Sequence, residues 1–116
     1  MRLSHMTWPN VETYFTQHDV VVFAIGSIEC HGRHLPIGTD TLVPDKILDL
    51  FEERSPTIMI APTIPYGACD SLTGFPGTVN LGVDVLYGVL SQIVASLRRH
   101  GARRFVVVNG HGGNIK

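Results

Sequence analysis

Val20-Val21-Val22-Phe23-Ala24-Ile25 is apolar at every position. An extended segment of this kind buries both of its alternating faces, as strands do in a parallel sheet covered on two sides. Phe105-Val106-Val107-Val108 repeats the pattern, and Thr57-Ile58-Met59-Ile60 is a third, shorter run. Between these runs the period changes. Val83, Leu86, Val89, Leu90, Ile93, Val94 and Leu97 recur at three and four residues, which predicts a helix over 82–100. Arg98, Arg99 and His100 suit its negative end, and Gly101 suits its C-cap. Ile47, Leu48 and Phe51 predict a helix from about Pro44 to the stop at Ser55-Pro56. Val11, Tyr14 and Phe15, placed after Pro9, predict a short amphipathic helix over 10–17. Strands alternating with helices in this order read as an α/β fold, a parallel sheet with flanking helices.

Three segments follow neither period. Residues 27–41 hold two glycines and a proline among polar residues, and read as a loop that something other than its own core must hold in place. Residues 62–78 hold three prolines and three glycines, and read as a long binding loop. Asn109-Gly110-His111-Gly112-Gly113-Asn114-Ile115-Lys116 reads as a loop that opens a further helix.

Composition narrows the function classes. With 116 residues, 44% hydrophobic and 16% charged, the chain is expected to form a single globular domain, 1–116. A net charge of −1 offers no general attraction to nucleic acid or anionic membranes, so neither is expected as a partner. The start MRLSHMTWPN lacks the basic and apolar regions of a secretory signal, and no apolar run approaches the ~20 residues of a spanning helix. A cytoplasmic protein is the expectation, with Cys30 and Cys69 as isolated reduced thiols.

Chemistry concentrates in the irregular segments. Glu29 and His31 are spaced by two, so in extended backbone both side chains leave on one side and can share an ion. Asp40 follows, and carboxylates with imidazoles form the mixed oxygen and nitrogen set that suits Zn, Mn or Fe. His111 lies beyond the third strand as Glu29 and His31 lie beyond the first, so a parallel sheet would bring all four to its carboxyl edge. Two blander readings stand beside this one. The carboxylates and His31 could be solvated loop groups, and the glycines around His111 could form an anion-binding nest for a phosphate. His5, His18, His34 and His100 are given no catalytic role.

The blocks Gly26-Ser27-Ile28-Glu29-Cys30-His31-Gly32-Arg33-His34-Leu35-Pro36, Thr39-Asp40, Phe75-Pro76-Gly77-Thr78 and Asn109-Gly110-His111-Gly112-Gly113-Asn114 resemble, in order and spacing, those of the creatininase (creatinine amidohydrolase) family. The resemblance covers nearly the whole chain and the N-terminal part of such a protein, whose members continue further. It implies a three-layer α/β/α fold and a metal-dependent hydrolase of C–N bonds in linear or cyclic amides. It also implies two divalent ions, Zn, Mn or Fe, and a bridging hydroxide as nucleophile. Glu29 and His31 would bind separate ions, Asp40 would bridge them, and His111 would join Glu29 on the first. A homo-oligomer acting on a small amide is implied as well. A chain confined to this part would be either a half-site without turnover or a ligand-binding module. Creatininase itself has a glutamate two residues after the histidine matching His111, where Gly113 stands here. Cys30 replaces a common glutamine and Ser71-Leu72 a frequent Glu-His pair, which points away from creatinine as the substrate.

Overall fold

The computed structural model describes residues 1–115. Helix α1 spans Trp8–Gln17, strand β1 Val20–Ile25, α2 Thr39–Arg54, β2 Met59–Ile60, α3 Val83–Arg98 and β3 Arg104–Asn109. Short 3-10 turns lie at Leu3–His5, Asp70–Leu72 and Gly112–Asn114.

The three strands form one parallel sheet in the order β2-β1-β3. Alternation along β1 decides the layers. Val21, Phe23 and Ile25 pack with Tyr14 of α1 and Leu86 of α3, and with Val11, Phe15, Leu90 and Leu97 from the same helices. Val22 and Ala24 face the opposite way, against Leu48 and Phe51 of α2. The result is the expected α/β/α sandwich, with β1 buried on both faces because helices cover both. Inside it, the Tyr14 hydroxyl donates to the Val20 carbonyl at 2.6 Å and accepts the Met59 N–H at 3.1 Å, so a buried phenol joins β1 to β2.

Four expectations are corrected. Helix α2 begins at Thr39, not near Pro44, so Asp40 sits in its first turn rather than in a loop. Pro44 lies inside the helix, where it has no N–H to give to the Asp40 carbonyl one turn back. The second strand is only Met59–Ile60, because a turn closed by the Ile58 N–H on the Ser55 carbonyl at 3.2 Å takes up Thr57 and Ile58. The segment after β3 makes a 3-10 turn at Gly112–Asn114 where a helix start was expected; Lys116 lies outside the described residues. Strand β3 has a centre, Phe105–Val108, as apolar as β1 but pairs only with it among the described residues, which leaves Val106 50% and Val107 43% exposed. Helix α3, predicted over 82–100, runs over Val83–Arg98. Gly82 at φ 75° precedes it and Gly101 at φ 123° follows it. No helix among the described residues is long and apolar enough to cross a membrane.

Candidate metal centre

Chain order puts β2 on one side of β1 and β3 on the other, so the segments leaving β1 and β3 are neighbours at the carboxyl edge of the sheet. Crevices of this kind receive the ligands of open α/β sheets. Glu29 and His31 leave the β1 end, His111 leaves the β3 end, and α2 brings Asp40 to the same point.

The close approach depends on glycines. A Cβ on Gly26 would lie 2.1 Å from Thr41 Oγ1 and 2.8 Å from the Asp40 carbonyl oxygen. One on Gly110 would lie 2.1 Å from that oxygen, and one on Gly113 would lie 2.3 Å from the Ala68 carbonyl. These distances are far inside van der Waals contact, so only backbone without side chains lets the loops close around the start of α2.

All four expected residues meet. Asp40 Oδ1 lies 2.9 Å from His31 Nε2, and Asp40 Oδ2 lies 2.8 Å from His111 Nδ1. Glu29 Oε1 lies 3.0 Å from the same His111 Nδ1. The Glu29 carboxylate therefore faces His111 directly, although donor atoms of Glu29, His31 and Asp40 also lie within 4.8 Å of one another.

Backbone carbonyls decide the tautomers, because a carbonyl can only accept. His31 Nδ1–H donates to the Glu29 carbonyl at 3.2 Å, which leaves the Nε2 lone pair facing Asp40. His111 Nε2–H donates to the Ala68 carbonyl at 2.8 Å, which leaves the Nδ1 lone pair facing two carboxylates. Metal-bound histidines are commonly held this way, through their other nitrogen. Ligands set tetrahedrally around one ion at ~2.0–2.2 Å stand roughly 3.3–3.6 Å apart, so the groups now 2.8 and 3.0 Å from His111 Nδ1 need to part by only about half an ångström to admit one.

Glu29 is only 4% exposed, and its Oε2 has no hydrogen-bond partner among the described residues. A buried carboxylate oxygen without a donor is costly unless a cation supplies the missing charge. Burial first, and then the hydrogen bond shared with Asp40, push the Glu29 carboxyl above its ordinary range, against the pull of His111. The Glu29 carbonyl, more than the neighbouring carboxylates, raises His31. These residues fit a divalent cation.

The remaining groups are less suited. Burial pushes the Cys69 thiol up, and its S–H donates to the Val79 carbonyl at 3.4 Å, so it is no ready thiolate; Cys30 and Cys69 are both free thiols. The glycine loop lacks the left-handed residues of an anion nest. None of Gly110, Gly112 and Gly113 has positive φ. The N–H groups of Gly110, His111, Asn114 and Ile115 already donate to oxygens of Ile25, Asn109, His111 and Gly112. Sequence reasoning missed the two carbonyls that fix the imidazoles, and also Asn114, whose side chain accepts the Ala68 N–H at 2.9 Å and donates to the Gly26 carbonyl at 3.1 Å.

Residues 4–116 match the family model for creatinine amidohydrolase. The chain belongs to the creatininase family. Creatinine amidohydrolase of Pseudomonas putida is 33% identical over an alignment of 115 positions, which covers 94% of this chain and 44% of that protein. The mycofactocin precursor peptide peptidase of Mycolicibacterium smegmatis is 37% identical over 102 residues, 84% of this chain and 41% of that one. Solved creatininases superpose closely: a manganese form at TM-score 0.88 and a Zn-Zn type at 0.87, each 32% identical and covering 98% of this chain and 46% of theirs. The chain thus spans a little under half the length of these creatininase-family proteins.

Proposed function

We propose that this chain carries the metal-binding part of a metal-dependent hydrolase that cleaves C–N bonds in linear or cyclic amides. The observation that carries this reading is the Asp40 carboxylate, whose two oxygens each face an imidazole nitrogen left free by a backbone carbonyl bond at the other ring nitrogen. A carboxylate so placed suits two ions. Glu29, His111 and Asp40 Oδ2 would hold one, and His31 with Asp40 Oδ1 would begin the set of the other. Divalent ions held there would acidify water near neutral pH and draw electron density from an amide carbonyl oxygen.

The chain's own residues prepare that chemistry. The Glu29 and Ala68 carbonyls each hold one ring nitrogen of an imidazole, which aims the other nitrogen at the carboxylates. Asp40 lies in the first turn of α2, at the positive end of the helix dipole. Glu29 is closed off from solvent, which strengthens its attraction for a cation. The named relatives include a creatinine hydrolase and a peptide peptidase, so a small cyclic amide and a short peptide are both within the proposed substrate class. A cytoplasmic, oligomeric protein fits the two free thiols and the open edge of β3.

Metal stoichiometry and turnover test the proposal. Purified protein dialysed against Zn or Mn should retain up to two ions by elemental analysis, and His111→Ala should lose at least one. Loaded protein is then assayed against creatinine, formamides and short peptides. Absence of any retained ion, or metal content unchanged in His111→Ala, would refute the centre. Retained metal without turnover on any amide would leave a ligand-binding module in place of an enzyme.

A further inference from the structure

We propose that Asn80 is a positioning residue for the His111 imidazole, acting through the peptide group between Ala68 and Cys69 and anchored by Asp70. This rests on the reading of His111 as a ligand. The contacts run in one line. Asn80 Nδ2 donates to Asp70 Oδ1 at 2.6 Å. Asn80 Oδ1 accepts the Cys69 N–H at 2.9 Å and the Gly82 N–H at 2.9 Å. The Cys69 N–H and the Ala68 carbonyl are two ends of one planar peptide, and that carbonyl accepts His111 Nε2–H at 2.8 Å. His111 Nδ1 then faces Asp40 and Glu29.

Every link has a fixed polarity. A carboxylate can only accept, so the Asn80 amide must turn its NH2 to Asp70 and its oxygen to the backbone. A peptide whose N–H is engaged is a better acceptor at its carbonyl, since hydrogen bonds in a chain polarise one another. That carbonyl in turn holds the proton on Nε2 and enriches Nδ1 as a donor, as a carboxylate does for a histidine it contacts directly. Rotation of the peptide is blocked from the other side, because the Ala68 N–H donates to Asn114 Oδ1 at 2.9 Å. A Cβ on Gly67 would lie 2.4 Å from that same oxygen, so the strand of loop is held tightly there. Asp70 is exposed and belongs to the 3-10 turn Asp70–Leu72, so a surface charge is wired to a buried imidazole through one amide and one peptide.

The test uses the 116-residue chain with Asn80→Ala, with Asp70→Ala, and with the exchange Asp70→Asn plus Asn80→Asp, which keeps a donor and an acceptor at each link. Heteronuclear NMR of the imidazole nitrogens is read on metal-free protein, with His111→Ala for assignment, and Zn affinity is read by chelator competition. In the unaltered chain the His111 Nε2 proton, held by the Ala68 carbonyl, should exchange slowly. Asn80→Ala should lose that signature and roughly 10–100-fold in Zn affinity; the exchange should restore both to within about threefold. An unchanged signature and affinity in Asn80→Ala, or an exchange as damaging as the single variant, would overturn the proposal. Should Asn80→Ala not fold, the exposed Asp70→Ala decides: a faster-exchanging His111 proton supports the relay and an unaltered one refutes it. If the unaltered chain binds no metal, the ligand reading of His111 fails, while the NMR comparison still decides whether Asn80 holds the ring.

Discussion

Replacing Gly110 with alanine probes the centre without touching any donor atom. The new Cβ would stand 2.1 Å from the Asp40 carbonyl oxygen and 2.8 and 3.0 Å from two Pro44 ring carbons. Contact with the oxygen would fall about 1.3 Å short of a normal van der Waals separation, and that oxygen is backbone in the first turn of a helix, so it has little freedom to yield. Overpacking of this kind costs ~1–3 kcal/mol, offset by about 0.4–1 kcal/mol from the reduced freedom of the unfolded chain. A net loss of about 1.3 kcal/mol is expected, which for a domain of this size lowers Tm by roughly 5 °C. Relief must come from parting β3 and α2, the elements that carry His111 and Asp40, so Zn affinity should fall by at least about tenfold. Gly112→Ala is the control, since nothing lies within 4 Å of its added Cβ. Thermal denaturation of metal-free protein and calorimetric Zn titration measure both quantities. Equal behaviour of the two variants, or a stable Gly110→Ala with unaltered Zn binding, would refute the packing argument.

Other outcomes follow from the same geometry. Asp40→Ala should remove far more metal than His34→Ala, by elemental analysis, because only Asp40 faces both imidazoles. Glu29 has a raised folded-state pKa, so the metal-free fold binds its proton more tightly than the unfolded chain does; stability should fall as pH rises from about 4.5 through the folded value. Glu29→Gln should therefore raise Tm of metal-free protein at neutral pH while weakening Zn binding, and a lowered Tm would contradict the assigned cost of burial. Val107→Lys should reduce self-association seen by size exclusion with light scattering, since lysine on an open strand edge opposes pairing; unchanged association would place the contact elsewhere.

The sheet was legible because burial on two faces leaves a mark on every residue from Val20 to Ile25. Helix α3 was legible for the complementary reason, a long stripe with one period. The start of α2 was not: Gly38 and Pro44 look like loop residues, and the helix exists there because its first turn is packed under Gly26 and Gly110. Strand β3 carries the same apolar signature as β1, yet its position at an edge is a property of the strand order and not of its own residues. Among the site residues, acidic and imidazole side chains announced themselves by type and spacing. The carbonyls of Glu29 and Ala68 could not, since a backbone acceptor has no residue signature. Asn80 and Asn114 act across 11 and 46 residues of sequence, and only the packed loops bring them to their partners.

The pairing of β1 with β3 also sets when an ion can be captured. Asp40 and His111 lie 71 positions apart, and closing a chain segment of that length costs on the order of 4 kcal/mol of entropy before any contact offsets it. Glu29, His31 and Asp40 come together within one short stretch, whereas His111 arrives only when the last strand docks on a sheet already begun by β1 and β2. Contacts of such long range form late in folding. An ion bound there would then select the sandwich with β3 already docked instead of nucleating it, and would slow the undocking of β3.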